Sequence, residues 1–133
     1  MEVRALKNED YAITLIKWWK AWRWTPPIKD MLPENGTGGI MVSSNGVDVC
    51  AGFLYLTNSK TAWLEYIVSI RDYKDSYSSE AIELLINTLN EIAKNKGFLY
   101  IYTSLKSKPL ISKYKNCGFI EGSKNCQEMI KIL

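Results

Sequence analysis

Histidine is absent from the 133-residue chain. That removes His-based acid–base catalysis, Ser-His and Cys-His nucleophile systems, and nearly all zinc-enzyme sites. Any catalysis must use carboxylates, tyrosines, cysteines, lysines or backbone dipoles, and no metal is expected. No run of about eighteen apolar residues occurs, so nothing is expected to span a bilayer. The cysteines, Cys50, Cys117 and Cys126, are odd in number and lack a Cys-x-x-Cys spacing. They fit reduced thiols better than a disulfide framework or a metal knuckle. Met1-Glu2-Val3-Arg4 lacks the basic-then-apolar layout of a secretory signal, and a cytoplasmic location is the expectation. Dense basic blocks are missing as well, because the net charge of +3 is spread along the chain. Non-specific nucleic-acid binding needs a denser footprint. A mild basic excess suits an anionic small molecule.

The apolar fraction is ordinary and the length suits one domain, 1–133, with a genuine core. Residues 1–6 alternate as a first strand. A helix is expected from Glu9 to Trp24, with Asn8 as N-cap and Thr25-Pro26-Pro27 as its end. After a loop, Gly39–Ser44, Val47–Thr57 and Thr61–Ile70 read as an antiparallel meander, its first turn marked by Asn45-Gly46. Val47, Val49, Ala51, Phe53 and Tyr55 share a face of the second strand by period two. From Ser78 to Lys96 the apolar residues Ile82, Leu85, Ile86, Leu89 and Ala93 keep a helical rhythm that Gly97 closes. Phe98–Leu105 is a further strand. Ser107-Lys108-Pro109 opens a short helix to Cys117, and Phe119–Gly122 and Cys126–Leu133 are expected as closing strands. The order is β-α-(α)-β-β-β-α-β-α-β-β, an α/β domain of mixed, mostly antiparallel sheet with helices on both faces.

The last helix ends Tyr114-Lys115-Asn116-Cys117-Gly118-Phe119. Glycine supplies the φ freedom of a helix C-cap, which leaves Tyr114 on the final turn. There the phenol either packs as an aromatic or donates a proton into a cleft. Glu65 sits between Leu64 and Tyr66 on the third meander strand, on the face of Trp63 and Ile67. A carboxylate among apolar neighbours has a raised pKa, as a general base needs; pairing with a lysine across the sheet is the alternative. Trp18, Trp19, Trp22 and Trp24 crowd one short stretch, too dense for one narrow buried stripe.

The element order, with Tyr-x-x-x-Gly-Phe after a short helix, resembles the GNAT superfamily of acetyl-CoA-dependent N-acetyltransferases over essentially the whole chain. The resemblance implies acetyl-CoA as co-substrate, a small-molecule or peptide amine as acceptor, and transfer of the acetyl group to a primary amine. It implies Tyr114 as proton donor to the departing thiolate and Glu65 as the base that takes the amine proton. Backbone groups of Val68, Ser69 and Ile70 would pair with the pantetheine arm. Ser107 stands where the family often has an asparagine that contacts the cofactor. The family's phosphate loop, Gln/Arg-x-x-Gly-x-Gly/Ala, aligns with Ser76, Tyr77, Ser78, Ser79, Glu80 and Ala81, where serines replace the cationic residue and the first glycine. Amides at a helix N-terminus would hold the pyrophosphate, against repulsion from Glu80 and Glu83. Trp18, Trp22 and Trp24 would wall the acceptor site. Two other readings stand beside this one: a GNAT-shaped binding module without catalysis, and an interaction protein whose tryptophans form a partner or homodimer interface.

Overall fold

Asn45-Gly46 turns the chain between β2 (Gly39–Ser44) and β3 (Val47–Tyr55), with both residues at positive φ, +52° and +79°, as a type I′ hairpin requires. The structure, a computed structural model, describes residues 1–71 and 75–133, the side chains of 75–78 excepted. With β1 (Glu2–Ala5), β4 (Thr61–Ser69) and β5 (Tyr100–Tyr102), the hairpin forms one five-stranded sheet in the order β1-β2-β3-β4-β5. The first three pairings are antiparallel, and β4–β5 is parallel.

The sheet has a helical layer on each side. On one face lie α2 (Asp75–Asn95) and α3 (Lys108–Asn116). The α2 stripe of Ile82, Leu85, Ile86, Leu89 and Ala93 is buried there against Ile40, Val42, Leu54 and Leu64. On the other face, α1 (Ile16–Ala21) buries Leu15, Trp18 and Trp19 against Met41, Ala51, Phe53 and Val68. No described helix is long and apolar enough to cross a membrane.

Two register shifts shape the sheet. In β3, Val49 is skipped between the pairs Val42↔Cys50 and Ser43↔Asp48. Val49 therefore packs in the α2-side core, while Ala51 and Phe53 face α1. The expected single face from Val47 to Tyr55 is broken at that bulge. In β4, the pairs Ala51↔Val68 and Phe53↔Glu65 leave Tyr66 and Ile67 opposite Gly52 alone. Tyr66 absorbs the extra residue at φ +56°, a β-bulge on a bulky side chain. Ile67 turns into the α2-side core with Leu64, so it does not share a face with Glu65 as period two had suggested.

Other expectations need correction. The Glu9–Trp24 helix is a π-helical turn, Tyr11–Leu15, running into α1, which ends at Ala21. Arg23 at φ +61° ends it, with its N–H donating to Lys20 O and the Trp24 N–H to Trp19 O. Asn8 is not the cap; its side-chain oxygen accepts from Lys29 Nζ at 2.6 Å. The strand expected at Phe98–Leu105 shortens to β5. No strands form at Phe119–Gly122 or Cys126–Leu133, and beyond the half-buried Phe119 the chain is exposed. β5 offers only three residues of edge for pairing, and apolar residues in a short run supply no partner by themselves.

Asp10 ties the first core together. It is buried, it accepts the Lys7 N–H at 2.7 Å, and it receives both guanidinium nitrogens of Arg4, at 2.8 and 3.0 Å. Arg4 also reaches Asp48 on β3 at 3.0 Å. The Arg4 hydrogen bonds hold the Asp10 carboxyl below its ordinary 3.8. A depressed carboxyl stabilises the fold above its unfolded value and loses that contribution as pH falls through the folded one. Asp10→Asn is therefore expected to lose about 1.5–3 kcal/mol at pH 7, with the gap to wild type closing below pH 4; urea denaturation across pH measures both. At Gly39, a side chain would run into the Gly52 carbonyl on β3. Gly39→Ala is expected to destabilise by about 1–3 kcal/mol, read in the same denaturation experiment.

Candidate active site

The β4–β5 ladder stops at Trp63↔Tyr102. Past that point no backbone pair joins the two strands, and the bulge at Tyr66 follows on β4. The gap is closed by a side chain. Glu65 Oε1 accepts the Ser104 N–H at 2.8 Å and, more weakly, the Thr103 hydroxyl at 3.4 Å. Burial raises the Glu65 carboxyl above 4.5, partly offset by these two hydrogen bonds, and Glu128 adds repulsion of the same sign.

A crevice of about 140 Å³ opens at this split, with Glu65–Ile67 as one wall and 103–107 as the other. Leu110 and Tyr114 of α3 close it. Tyr114 is only 2% exposed, and burial drives its phenol well above the ordinary 10. Its position comes from the end of α3. Gly118 stands at φ +92°, its N–H donating to Lys115 O, and the Phe119 N–H reaches Tyr114 O. This is a Schellman turn. It folds Phe119 back onto Tyr114, ring edge to face at 4.8 Å and 83°, so the tyrosine both packs and lines the crevice. Ser107 also lines it; although it precedes α3, its hydroxyl makes no capping hydrogen bond.

On the α1 side of the sheet lies a wider groove of about 570 Å³. Glu65, Tyr66 and Ser104 line both it and the crevice. Glu65 is thus common to two cavities on opposite faces of the sheet. The outer rim of the groove is the C-terminal stretch 126–130.

Several sequence assignments land elsewhere. The crevice wall on β4 is Glu65–Ile67, not Val68, Ser69 and Ile70. Ile70 donates to Val49 O at 2.9 Å, Val68 pairs with Ala51, and the Ser69 carbonyl accepts the Trp22 indole N–H at 2.7 Å. Ser79, Glu80 and Ala81 lie within α2, and Ala81 is buried in the core, since the helix starts at Asp75 and not Ser78. The side chains of Ser76, Tyr77 and Ser78 lie outside the described residues. Trp18, Trp22 and Trp24 line neither cavity. Trp18 is core. Trp22 stacks on Trp24 at 5.6 Å and carries Arg71 over its ring at 5.7 Å, while Arg71 donates to Ala21 O. The tryptophans fasten the end of α1 to the end of β4, and only Trp24 remains substantially exposed.

Sequence reasoning missed Thr103 and Ser104, whose role appears only when β5 is laid beside β4. It also missed Tyr55, Tyr66 and residues 126–130 as groove walls. A signal for the bulge existed in the spacing of Leu64, Ile67 and Val68, which breaks period two, but a strand apolar on both faces hides such a break. Among the described residues no cluster of potential metal ligands occurs.

No protein-family model matches the sequence, and no curated protein matches it. Solved structures do match. An acetyltransferase from Trypanosoma brucei is similar at TM-score 0.64 and 18% identity, over 97% of this chain and 99% of that one. Glucosamine-6-phosphate N-acetyltransferase from Arabidopsis thaliana is similar at TM-score 0.67 and 12% identity, over 98% of both chains. AAC(6')-Iy, solved in complex with the bisubstrate analogue CoA-S-monomethyl-acetylneamine, is similar at TM-score 0.68 and 14% identity, over 98% of both chains. The parted strands, the buried tyrosine behind them and this likeness along nearly the full length agree: the chain has the fold of the GNAT acetyltransferases.

Proposed function

We propose that this chain is a single-domain, cytoplasmic N-acetyltransferase that moves an acetyl group from acetyl-CoA to a primary amine. The observation that carries the reading is that Glu65 lines both the crevice and the groove, while Tyr114 lines the crevice. Acetyl-CoA supplies an acyl group activated as a thioester. The crevice suits its acyl end: Ile67, Leu105 and Leu110 are apolar, and Ser104, Lys106 and Ser107 are polar. For the pyrophosphate, the candidate groups are the first amides of α2, the region where Ser76, Tyr77 and Ser78 lie.

An ammonium in the groove must lose a proton before its nitrogen can attack. Glu65 faces that groove, and its raised pKa makes it a stronger base than an exposed glutamate. The nitrogen lone pair then forms the new C–N bond, the C–S bond breaks as the thiolate leaves with the bonding pair, and the second proton shed by the acylated nitrogen ends on that thiolate. Tyr114 stays protonated at any working pH. With an ordinary thiol pKa near 8.5, full proton transfer from so weak an acid is uphill. Tyr114 therefore acts as a hydrogen-bond donor to the sulfur, a revision of the proton-donor role the resemblance implied. Holding amine and thioester together across the split supplies much of the acceleration.

The sign of the Glu65 shift gives a paired test. A raised carboxyl pKa favours folding below the unfolded value, and that contribution fades as pH rises through the folded one. Glu65→Gln keeps an oxygen for the Ser104 N–H. It is expected to melt no lower than wild type at pH 7, with any advantage shrinking toward pH 4, while turnover falls by about 10²–10⁴. Tyr114→Phe keeps the packing and should lower turnover about tenfold or more, with acetyl-CoA affinity little changed. Thiol-release assays, calorimetric titration of acetyl-CoA and thermal melts supply the readings. Unchanged turnover in both variants, or no acetyl-CoA binding by wild type, would overturn the reading in favour of a fold that has lost catalysis.

A further inference from the structure

The groove on the α1 side has a composition unlike the rest of the surface. The chain carries 17 Lys and Arg against 14 Asp and Glu, yet among the described residues no cationic side chain lines the groove. Glu65 and Glu128 do. In a basic protein this is a local acidic site that shares Glu65 with the crevice, and it attracts a cation to the place where an amine would react.

Its walls are apolar. Tyr55, Trp63 and Tyr66 line it from β3 and β4, with Met31, Leu56 and Met129 beside them. The Tyr55 phenol is already committed, donating to Met31 O at 2.8 Å. The Tyr55 and Tyr66 rings stand 6.5 Å apart at 43°, and Trp63 lies 4.4 Å from Tyr102. Leu56 and Met129 are exposed. Uncharged polar side chains are few: Thr57, Ser104 and Gln127. Such a surface rewards burial of hydrocarbon and of aromatic faces, and the rings add cation–π attraction for an ammonium. It has little to offer a sugar's hydroxyl groups and nothing cationic for a phosphate. The volume of about 570 Å³ is ample for a compact amine.

The geometry points to an arylalkylamine as the acceptor: one primary ammonium, placed at Glu65 and Glu128, on an aromatic body held between Tyr55, Trp63 and Tyr66. This rests on the acyl-transfer reading for turnover but not for binding, and the two are separable. Phenethylamine is titrated into the full chain without acetyl-CoA, beside ethylamine, neamine and glucosamine 6-phosphate, and binding is followed by calorimetry and tryptophan fluorescence.

Phenethylamine is expected to bind about tenfold or more tighter than ethylamine, and tighter than the two sugars. Tyr66→Gly removes the ring at a position whose positive φ glycine adopts without strain, so the fold is retained. Glu128→Gln is an exposed change. Each variant should weaken phenethylamine about threefold or more. The same amines are then run in a thiol-release assay. Preference for phenethylamine without thiol release would sustain the ligand class and defeat acyl transfer. Equal binding of all amines, tighter binding of neamine or glucosamine 6-phosphate, or full affinity in both variants would overturn the arylalkylamine assignment, whatever the thiol assay gives.

Discussion

The site depends on one extra residue in β4. Tyr66, with Ile67 opposite Gly52, shifts the strand out of register with β3 just beyond its last pair with β5. In a sheet continuous across β4 and β5 the backbone groups of 103–105 would be used in the ladder. Instead the ladder ends at Trp63, and the Ser104 N–H is free to meet the Glu65 carboxylate. Bulges gather where a sheet has a task beyond packing. Here the strain of a positive φ on a tyrosine is held by packed cores on both sides.

Those cores make the split rigid. Leu64 and Ile67 are buried against α2, and Val68 is buried against α1, so β4 is clamped on both faces around the bulge. Trp22 and Arg71 tie the end of α1 to the end of β4, and the Schellman turn at Gly118 fixes Tyr114. Sites held by packed elements keep their geometry better than sites on loops. The exposed chain beyond Phe119 contributes only a rim to the groove.

Electrostatics follow from the same geometry. Burial raises the Glu65 and Tyr114 pKa values alike, but with opposite consequences. The glutamate becomes a better base, while the tyrosine is kept a neutral donor. On the far side, acids and rings replace the lysines that cover the exterior. One carboxylate thus serves two surfaces of different chemistry.

Local interactions were legible in the sequence. The Asn45-Gly46 hairpin, the α2 stripe from Ile82 to Ala93 and the end of α3 at Gly118 depend on residues near one another in the chain. Helical period, turn chemistry and caps report such contacts directly. Glu65 and Tyr114 could be named because a carboxylate and a phenol beside apolar runs are conspicuous before folding. What the tertiary structure decided was register and partnership. Whether Ile67 follows Glu65 or turns to the other face rests on one residue of slip against β3. Whether Trp18 and Trp22 meet a ligand or the core depends on what α1 packs upon. Whether the C-terminal tail becomes strand depends on an edge long enough to receive it. Those outcomes rest on contacts between segments far apart in sequence, which no local pattern encodes.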